Sequence, residues 1–170
     1  MHSLGPVEVV DYHTAGEPFR IVVSGAPTLE GATALDKRGY AHRYADEIRQ
    51  LIVNEPRGHA DMYGCFVTDP NDDSGDLGAV FFHKDGYSTA CGHGTIALVT
   101  WAIESGRIGV DDGRQTVIVD TPSGRLRAIA EVNDGRVAVV SFVNVPSYVS
   151  GRYIALQLSD DVVSVDIAYG

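Results

Sequence analysis

Short runs of β-branched and aromatic residues predict strands along the first half of the chain. Residues 7–12 and 19–23 are two such runs, and Thr14-Ala-Gly-Glu-Pro between them is typical of a turn. Residues 63–68 and 78–83 form two more, on either side of an acidic turn. The pattern therefore predicts a sheet of short strands with tight connections.

Two segments have the three- and four-residue apolar spacing of helices. Apolar residues recur in this way from Tyr40 to Ile52, which predicts one amphipathic helix that ends before Pro56. Residues 94–105 are apolar on almost every side, and a helix of this kind must be enclosed by its domain. Gly106 is placed to end it. Strands around one buried helix predict a sheet that curls about it.

After residue 112 the pattern is almost entirely that of strands, with turns at Pro122-Ser-Gly and Asn133-Asp-Gly. These strands have no helix to enclose. We therefore expect an α+β chain with an N-terminal lobe at residues 1–120 and the start of an incomplete second lobe at residues 121–170. We also expect an exposed apolar surface where the rest of the second lobe would pack, which favours association.

Composition restricts the partners more than the fold. The chain has 44% hydrophobic and 21% charged residues, as globular proteins do, and a net charge of −10. This charge argues against nucleic acid and anionic membrane surfaces as partners. The N-terminus lacks the pattern of a secretion signal, and the longest apolar stretch is too short to span a bilayer. We expect a cytoplasmic protein whose two cysteines are free thiols.

The glycine-rich run at residues 86–95, which leads into the buried helix, is the strongest candidate for chemistry. Gly92 and Gly94 let the backbone approach a ligand, and the first helical N–H groups favour an anion such as a substrate carboxylate. The same field lowers the pKa of Cys91 and favours its thiolate. Cys91 is thus a candidate base, and Gly92, His93 and Gly94 are candidate substrate-binding residues. The alternative is a buried cysteine that only packs.

Two interpretations of the cysteines stay open. Cys65 lies in an apolar strand and is interpreted as packing, although a partner role toward Cys91 requires only that the two lie close in space. A nucleophile–base pair of Cys91 with His93, as in a hydrolase or transferase, is disfavoured. Two residues of separation at a helix start predict that the His93 ring does not reach the sulfur.

Other clusters predict structure more readily than a site. In residues 55–62, an ion pair of Arg57 with Glu55 or Asp61 is favoured over a pocket lining. The loop that begins at Asp69 has the carboxylates of a calcium loop but lacks its glycine and its final glutamate. The histidines have no zinc-binding spacing, and no glycine motif for nucleotides is present. We expect no metal site.

The sequence resembles the proline racemase family over essentially its whole length. The matching stretches are Asp11-Tyr-His-Thr-Ala-Gly-Glu-Pro, Asn54-Glu-Pro-Arg-Gly-His-Ala-Asp-Met-Tyr-Gly, Gly86-Tyr-Ser-Thr-Ala-Cys-Gly-His-Gly-Thr-Ile-Ala, Asn144-Val-Pro-Ser-Tyr and Val165-Asp-Ile-Ala-Tyr-Gly. The resemblance implies a diaminopimelate-epimerase-like fold, in which each of two lobes is a curled, mainly antiparallel sheet around a central helix and the active site lies in the cleft between them. A cleft needs two walls, so we expect little turnover from these residues alone. The resemblance also implies that Cys91 is the first of two proton-transfer residues, that Gly92 and His93 hold a small imino acid, and that no cofactor takes part.

The resemblance leaves the reaction open among three. The Gly-Tyr-Ser-Thr sequence before Cys91 looks more like the 3-hydroxyproline dehydratases than the racemases. One departure is Ala90, because methionine usually precedes the cysteine. In the family a second cysteine goes with racemisation or epimerisation and a threonine with dehydration, and that position lies in the half that these residues lack. We expect a trans-3-hydroxy-L-proline dehydratase. The alternatives are a proline racemase, a 4-hydroxyproline 2-epimerase, or a non-catalytic fragment or binding module, and a homodimer is a possible assembly.

Overall fold

The computed structural model describes residues 5–169. Its elements follow in chain order as β1 (Glu8–Thr14), β2 (Glu17–Ser24), α1 (Ala34–Tyr44), α2 (Asp46–Val53), β3 (Tyr63–Thr68), β4 (Leu77–His83), β5 (Gly86–Tyr87), α3 (Gly92–Glu104), β6 (Gly113–Thr121), β7 (Gly124–Asn133), β8 (Arg136–Val143), β9 (Tyr148–Gln157) and β10 (Val162–Tyr169). Every predicted strand is present, with ends that differ by a few residues at most. The short strand β5 was not predicted.

Eight of the strands form one sheet that curls around α3. The order is β1-β2-β3-β4-β6-β7-β8, with β5 paired to β4. Only β2 with β3 and β4 with β6 pair in parallel, so the sheet is mainly antiparallel. Helix α3 contacts both β1 and β8, which stand at opposite ends of the strand order. The sheet must therefore bend round the helix, as predicted.

Helix α3 forms the centre of the larger core because nearly all of its surface is apolar. Leu98, Val99 and Ala102 are fully buried, and side chains from the inner faces of β2, β3, β4, β6 and β7 pack around them. The helix ends where the sequence predicts. Gly106 adopts a φ of +73°, which few residues other than glycine tolerate, and Ile108 then donates its N–H back to the carbonyl of Ala102.

The amphipathic region covers the other face of the sheet as two helices, so the prediction of one continuous helix is wrong. The break is at Ala45, whose backbone (φ −125°, ψ 6°) is not helical and whose side chain is buried. Helix α1 begins with a capping box between Thr33 and Asp36. The apolar spacing runs through the break without a change, so periodicity alone does not reveal it.

A buried arginine, not the predicted ion pair, holds the loop after α2. Arg20 pairs with Asp11 through two hydrogen bonds of 2.6 and 2.7 Å. It also donates to the carbonyl of Ile52 at 2.6 Å and to the carbonyl of Arg57. Among the described residues, neither Glu55 nor Asp61 forms an ion pair with Arg57, whose side chain lies at the surface. The loop carbonyls thus satisfy the donors of Arg20 instead.

The last two strands stand apart from the curled sheet. Strands β9 and β10 form a separate antiparallel pair, and many of their apolar side chains are exposed, Tyr153 at 81%. The exposed apolar surface expected from the sequence lies here. The large sheet itself continues through residue 120 to Val143, and a lobe boundary at residue 120 stays a prediction. Within residues 5–169, no helix is both long and apolar enough to cross a membrane.

The burial of α3 predicts a large difference between two leucines in helices. Leu98→Ala removes a fully buried side chain from α3 and should lower the free energy of unfolding by about 2–5 kcal/mol. Leu35→Ala, in α1, removes a side chain that is 54% exposed and should change it by less than about 0.5 kcal/mol. Urea denaturation followed by circular dichroism measures both. Equal losses would contradict the central role of α3.

Candidate active site

Cys91 occupies the N-cap position of α3, where the chain passes from β5 into the helix. Its backbone is extended (φ −154°, ψ 108°), and its carbonyl accepts hydrogen bonds from the N–H and hydroxyl of Thr95 at 2.9 and 2.8 Å. Thr95 is fully buried. Thr95 therefore fixes the first turn of α3, and the Cys91 side chain makes no capping hydrogen bond of its own.

Two groups of the first turn lie against the Cys91 sulfur. The backbone N–H of Gly94 lies close enough to lower the pKa of the thiol, although the sulfur accepts no capping hydrogen bond. The His93 imidazole also reaches it, with Nδ1 at 3.6 Å and Nε2 at 3.8 Å from Sγ. The expectation that His93 cannot reach the sulfur is thus wrong.

Burial keeps Cys91 as a thiol. Only 8% of the residue is exposed, and this burial raises the pKa of its thiol to about 11. The Gly94 N–H lowers the pKa, while the nearby carboxylate of Glu17 raises it. The prediction of a lowered pKa and a resting thiolate is therefore wrong, because loss of solvation raises the pKa of the thiol more than the Gly94 N–H lowers it.

His93 is held by side chains from three strands. Phe19 contacts it edge-on at 5.8 Å between ring centroids, and Tyr63 does so at 5.2 Å. The hydroxyl of Thr14 donates to the His93 carbonyl at 3.0 Å. Sequence reasoning assigned no role to these three residues, although two of the matched family stretches contain Thr14 and Tyr63. Only the fold brings them to the start of α3.

The two glycines beside His93 differ in what they require. A Cβ atom on Gly94 would overlap the ring of Phe19 and lie 2.8 Å from the Cys91 sulfur. A Cβ atom on Gly92 would meet only the tip of Phe142 at 3.7 Å, an ordinary contact. Gly94 is therefore needed for packing within the site. Gly92 is exposed, and its N–H, like that of His93, has no acceptor among the described residues, so both are free to bind an anion.

Cys65 lies in the core beside the site. It is fully buried on β3, and burial together with the nearby Cys91 raises the pKa of its thiol well above the usual range. Both cysteines are free thiols. This environment agrees with a packing role for Cys65. Across residues 5–169, no three His, Cys, Asp or Glu side chains are grouped so as to hold a metal ion.

Comparison with known proteins places this arrangement in a family. The model of the family described as proline racemase matches residues 9–170, which confirms the resemblance drawn from the motifs. A trans-3-hydroxy-L-proline dehydratase of Bacillus thuringiensis subsp. konkukian is 43% identical over 95% of this chain and 48% of the relative. A 3-hydroxyproline 2-epimerase of Burkholderia multivorans is 45% identical over 99% of this chain and 50% of the relative. The chain spans about half the length of the curated relatives it matches.

A solved structure has the same fold. The crystal structure of a hydroxyproline epimerase from Agrobacterium vitis, with bound trans-4-hydroxy-L-proline, superposes with a TM-score of 0.85 at 25% identity. The match covers 96% of this chain and 48% of that one. The predicted fold class is therefore confirmed.

Alanine at each glycine should separate packing from helix propensity. Gly94→Ala should lower the free energy of unfolding by about 1–3 kcal/mol relative to Gly92→Ala, because only the first forces Phe19 and Cys91 apart. Both variants gain similar helix propensity, so the difference isolates the overlap. Urea denaturation measures it. Equal stability of the two variants would refute the close packing at Gly94.

The raised pKa of Cys91 predicts how fast it is alkylated as the pH rises. In a Cys65→Ala background, the rate at which iodoacetamide alkylates Cys91 should increase about tenfold for each pH unit from 7 to 10. The reason is that the thiolate fraction of Cys91 keeps rising toward a pKa of about 11. The same chain in urea should level off near the ordinary cysteine pKa of about 8.5. A plateau at that pH in the folded chain would contradict the effect of burial.

Proposed function

Because this chain belongs to the proline racemase family, we propose that it supplies a proton-transfer site for trans-3-hydroxy-L-proline and that the reaction is dehydration. The observation that carries the proposal is the cluster at the start of α3. There the Cys91 sulfur lies next to the Gly94 N–H and the His93 ring, beside the free N–H groups of Gly92 and His93. The dehydratase of B. thuringiensis, at 43% identity, supports this choice of reaction.

Cys91 is the general base of the proposed reaction. It removes the α-proton at C2, the electrons of that C–H bond form a double bond between C2 and C3, and the 3-hydroxyl leaves as water once it has gained a proton. Cys91 must first lose its own proton, which burial opposes by holding the pKa of the thiol at about 11. The Gly94 N–H lowers the pKa of the thiol, and a ring nitrogen of His93 at 3.6 Å can stabilise the thiolate by donating a hydrogen bond.

The substrate carboxylate binds at the start of α3. The free N–H groups of Gly92 and His93, together with the positive end of the helix dipole, favour an anion there. The substrate carboxylate is bonded directly to the α-carbon. Binding of the carboxylate next to the base therefore brings the α-carbon close to Cys91. All of these groups belong to the protein, so the proposed chemistry uses no cofactor and no metal.

Epimerisation at C2 is the second candidate. The 3-hydroxyproline 2-epimerase of B. multivorans, at 45% identity, favours it. Both reactions begin when Cys91 removes the α-proton, and they differ in the next step. Dehydration expels the 3-hydroxyl, whereas epimerisation returns a proton to the opposite face of C2.

Replacement of Cys91 tests its role as the base. In a version extended to the length of the curated relatives, Cys91→Ser should slow α-proton loss from trans-3-hydroxy-L-proline by about 10²–10⁴-fold, since a serine hydroxyl is a much weaker acid than a thiol. Cys65→Ala removes the other thiol outside the proposed machinery and should leave the rate nearly unchanged. Proton NMR in D₂O follows loss of the α-proton signal and formation of the unsaturated product.

The same spectra distinguish the candidate reactions. Elimination from trans-3-hydroxy-L-proline supports the dehydratase, and inversion at C2 without elimination supports the epimerase. Equal rates for Cys91→Ser and the unchanged chain would rule out Cys91 as the base. Failure to bind or convert trans-3-hydroxy-L-proline, trans-4-hydroxy-L-proline and L-proline would contradict the proposed substrate class.

A further inference from the structure

We propose that His83 is a positioning residue, which holds Tyr63, and through Tyr63 the His93 ring, against the Cys91 sulfur. His83 ends β4 and Tyr63 begins β3, and the two residues stand directly opposite each other in the antiparallel pair. The proposal rests on the proposed function, because it gives His93 a part in setting the state of Cys91.

Tyr63 lies between two imidazole rings. Its centroid is 5.3 Å from that of His83, with the rings tilted by 35°, and 5.2 Å from that of His93, at 77°. Directly opposed residues of an antiparallel pair interact through their side chains, so His83 fixes where the Tyr63 ring can lie. The Tyr63 ring in turn forms one wall of the slot that holds His93.

The other wall of that slot is already immobile. Phe19 is fully buried, and its ring packs edge-on against Phe81 at 6.1 Å. Tyr63 is only half-buried and has more freedom to move. The side chain that restrains Tyr63 therefore decides how tightly the His93 ring is held.

The position of His83 is itself fixed from two directions. Its Nδ1 accepts the N–H of Asp85 at 3.1 Å, which leaves the proton of the neutral ring on Nε2. Its carbonyl accepts from the buried guanidinium of Arg49 at 2.8 Å, as the carbonyl of Lys84 does at 2.6 Å. Arg49 is anchored in α2 by Asp46. A continuous set of contacts thus leads from α2 to His83, Tyr63 and His93.

The orientation of His93 matters because the sulfur is nearly equidistant from its two nitrogens, at 3.6 and 3.8 Å. A small rotation of the ring changes which nitrogen faces Sγ. The imidazole influences the thiol through that contact, so the restraint on the ring affects the reactivity of Cys91.

Two variants of His83 separate its ring from its hydrogen bond. His83→Asn removes the ring and keeps an acceptor for the Asp85 N–H, so the turn still forms. His83→Phe keeps a ring against Tyr63 and loses the acceptor. The matched control is His59→Ala, because His59 also accepts the N–H of the residue two positions later, at 3.2 Å, and packs against no described aromatic ring.

The readout is the rate of Cys91 alkylation by iodoacetamide at pH 8, in a Cys65→Ala background. We expect His83→Asn to change the rate by about two- to tenfold, as loss of an aromatic contact would, and His83→Phe to restore it. His59→Ala should leave it unchanged. In a His93→Ala background, His83→Asn should have no effect, since the effect must pass through His93.

Each contrary result overturns the proposal. An unchanged rate for His83→Asn shows that His83 does not act on the site. A change of equal size with and without His93 shows only a general loosening of the lobe. Urea midpoints verify that each variant is folded, and His83→Gln, which also lacks a ring, carries the test if His83→Asn is not folded. Alkylation of Cys91 needs no substrate, so it is independent of the dehydration assay of Cys91→Ser. A negative alkylation result overturns only the role of His83, and a negative dehydration result overturns only the proposed reaction.

Discussion

The enclosure of one apolar helix governs the structure. Helix α3 has apolar residues on almost every side, and a helix of this kind is stable only if other elements cover its whole circumference. The sheet meets this requirement by bending until β1 and β8 both contact the helix. The ionisable side chains of α3, His93 and Glu104, then lie near its two ends, and at its start the chain places Cys91, two glycines and a histidine.

The same enclosure sets the chemical problem of the site. A cysteine at a helix N-terminus gains from the field of the helix, but enclosure removes it from water, and at Cys91 the second effect is larger. The site offsets this loss locally. Gly94 lacks a Cβ, so its N–H can approach the sulfur, and the His93 ring fills the remaining side. Phe19 and Tyr63 restrain that ring, and the reactivity of Cys91 thus depends on side chains from β2 and β3.

The sequence predicted features that depend on repeated local patterns. The periodicities of two and of nearly four residues identified the strands and α3, and the need to enclose α3 predicted the curled sheet. The glycine-rich run identified Cys91, Gly92, His93 and Gly94 as one cluster. Three predictions were wrong at positions where the outcome depends on one local backbone conformation, one side-chain contact or the solvation of one group. These are the break at Ala45, the contact between His93 and Cys91, and the ionisation of Cys91.

The absence of the predicted Arg57 ion pair reflects a preference of cationic side chains in this structure for backbone carbonyls. Four cationic side chains in this lobe, Lys37, Arg38, Arg20 and Arg49, donate to backbone carbonyls that lie 32 to 49 residues away in the chain. Loops that cross a buried face must find donors for their carbonyls, and these long side chains carry several donors each. Every residue has a backbone carbonyl, so the sequence identifies a cationic donor but not the carbonyl that accepts from it. A carboxylate two residues away, such as Glu55 beside Arg57, therefore does not establish an ion pair.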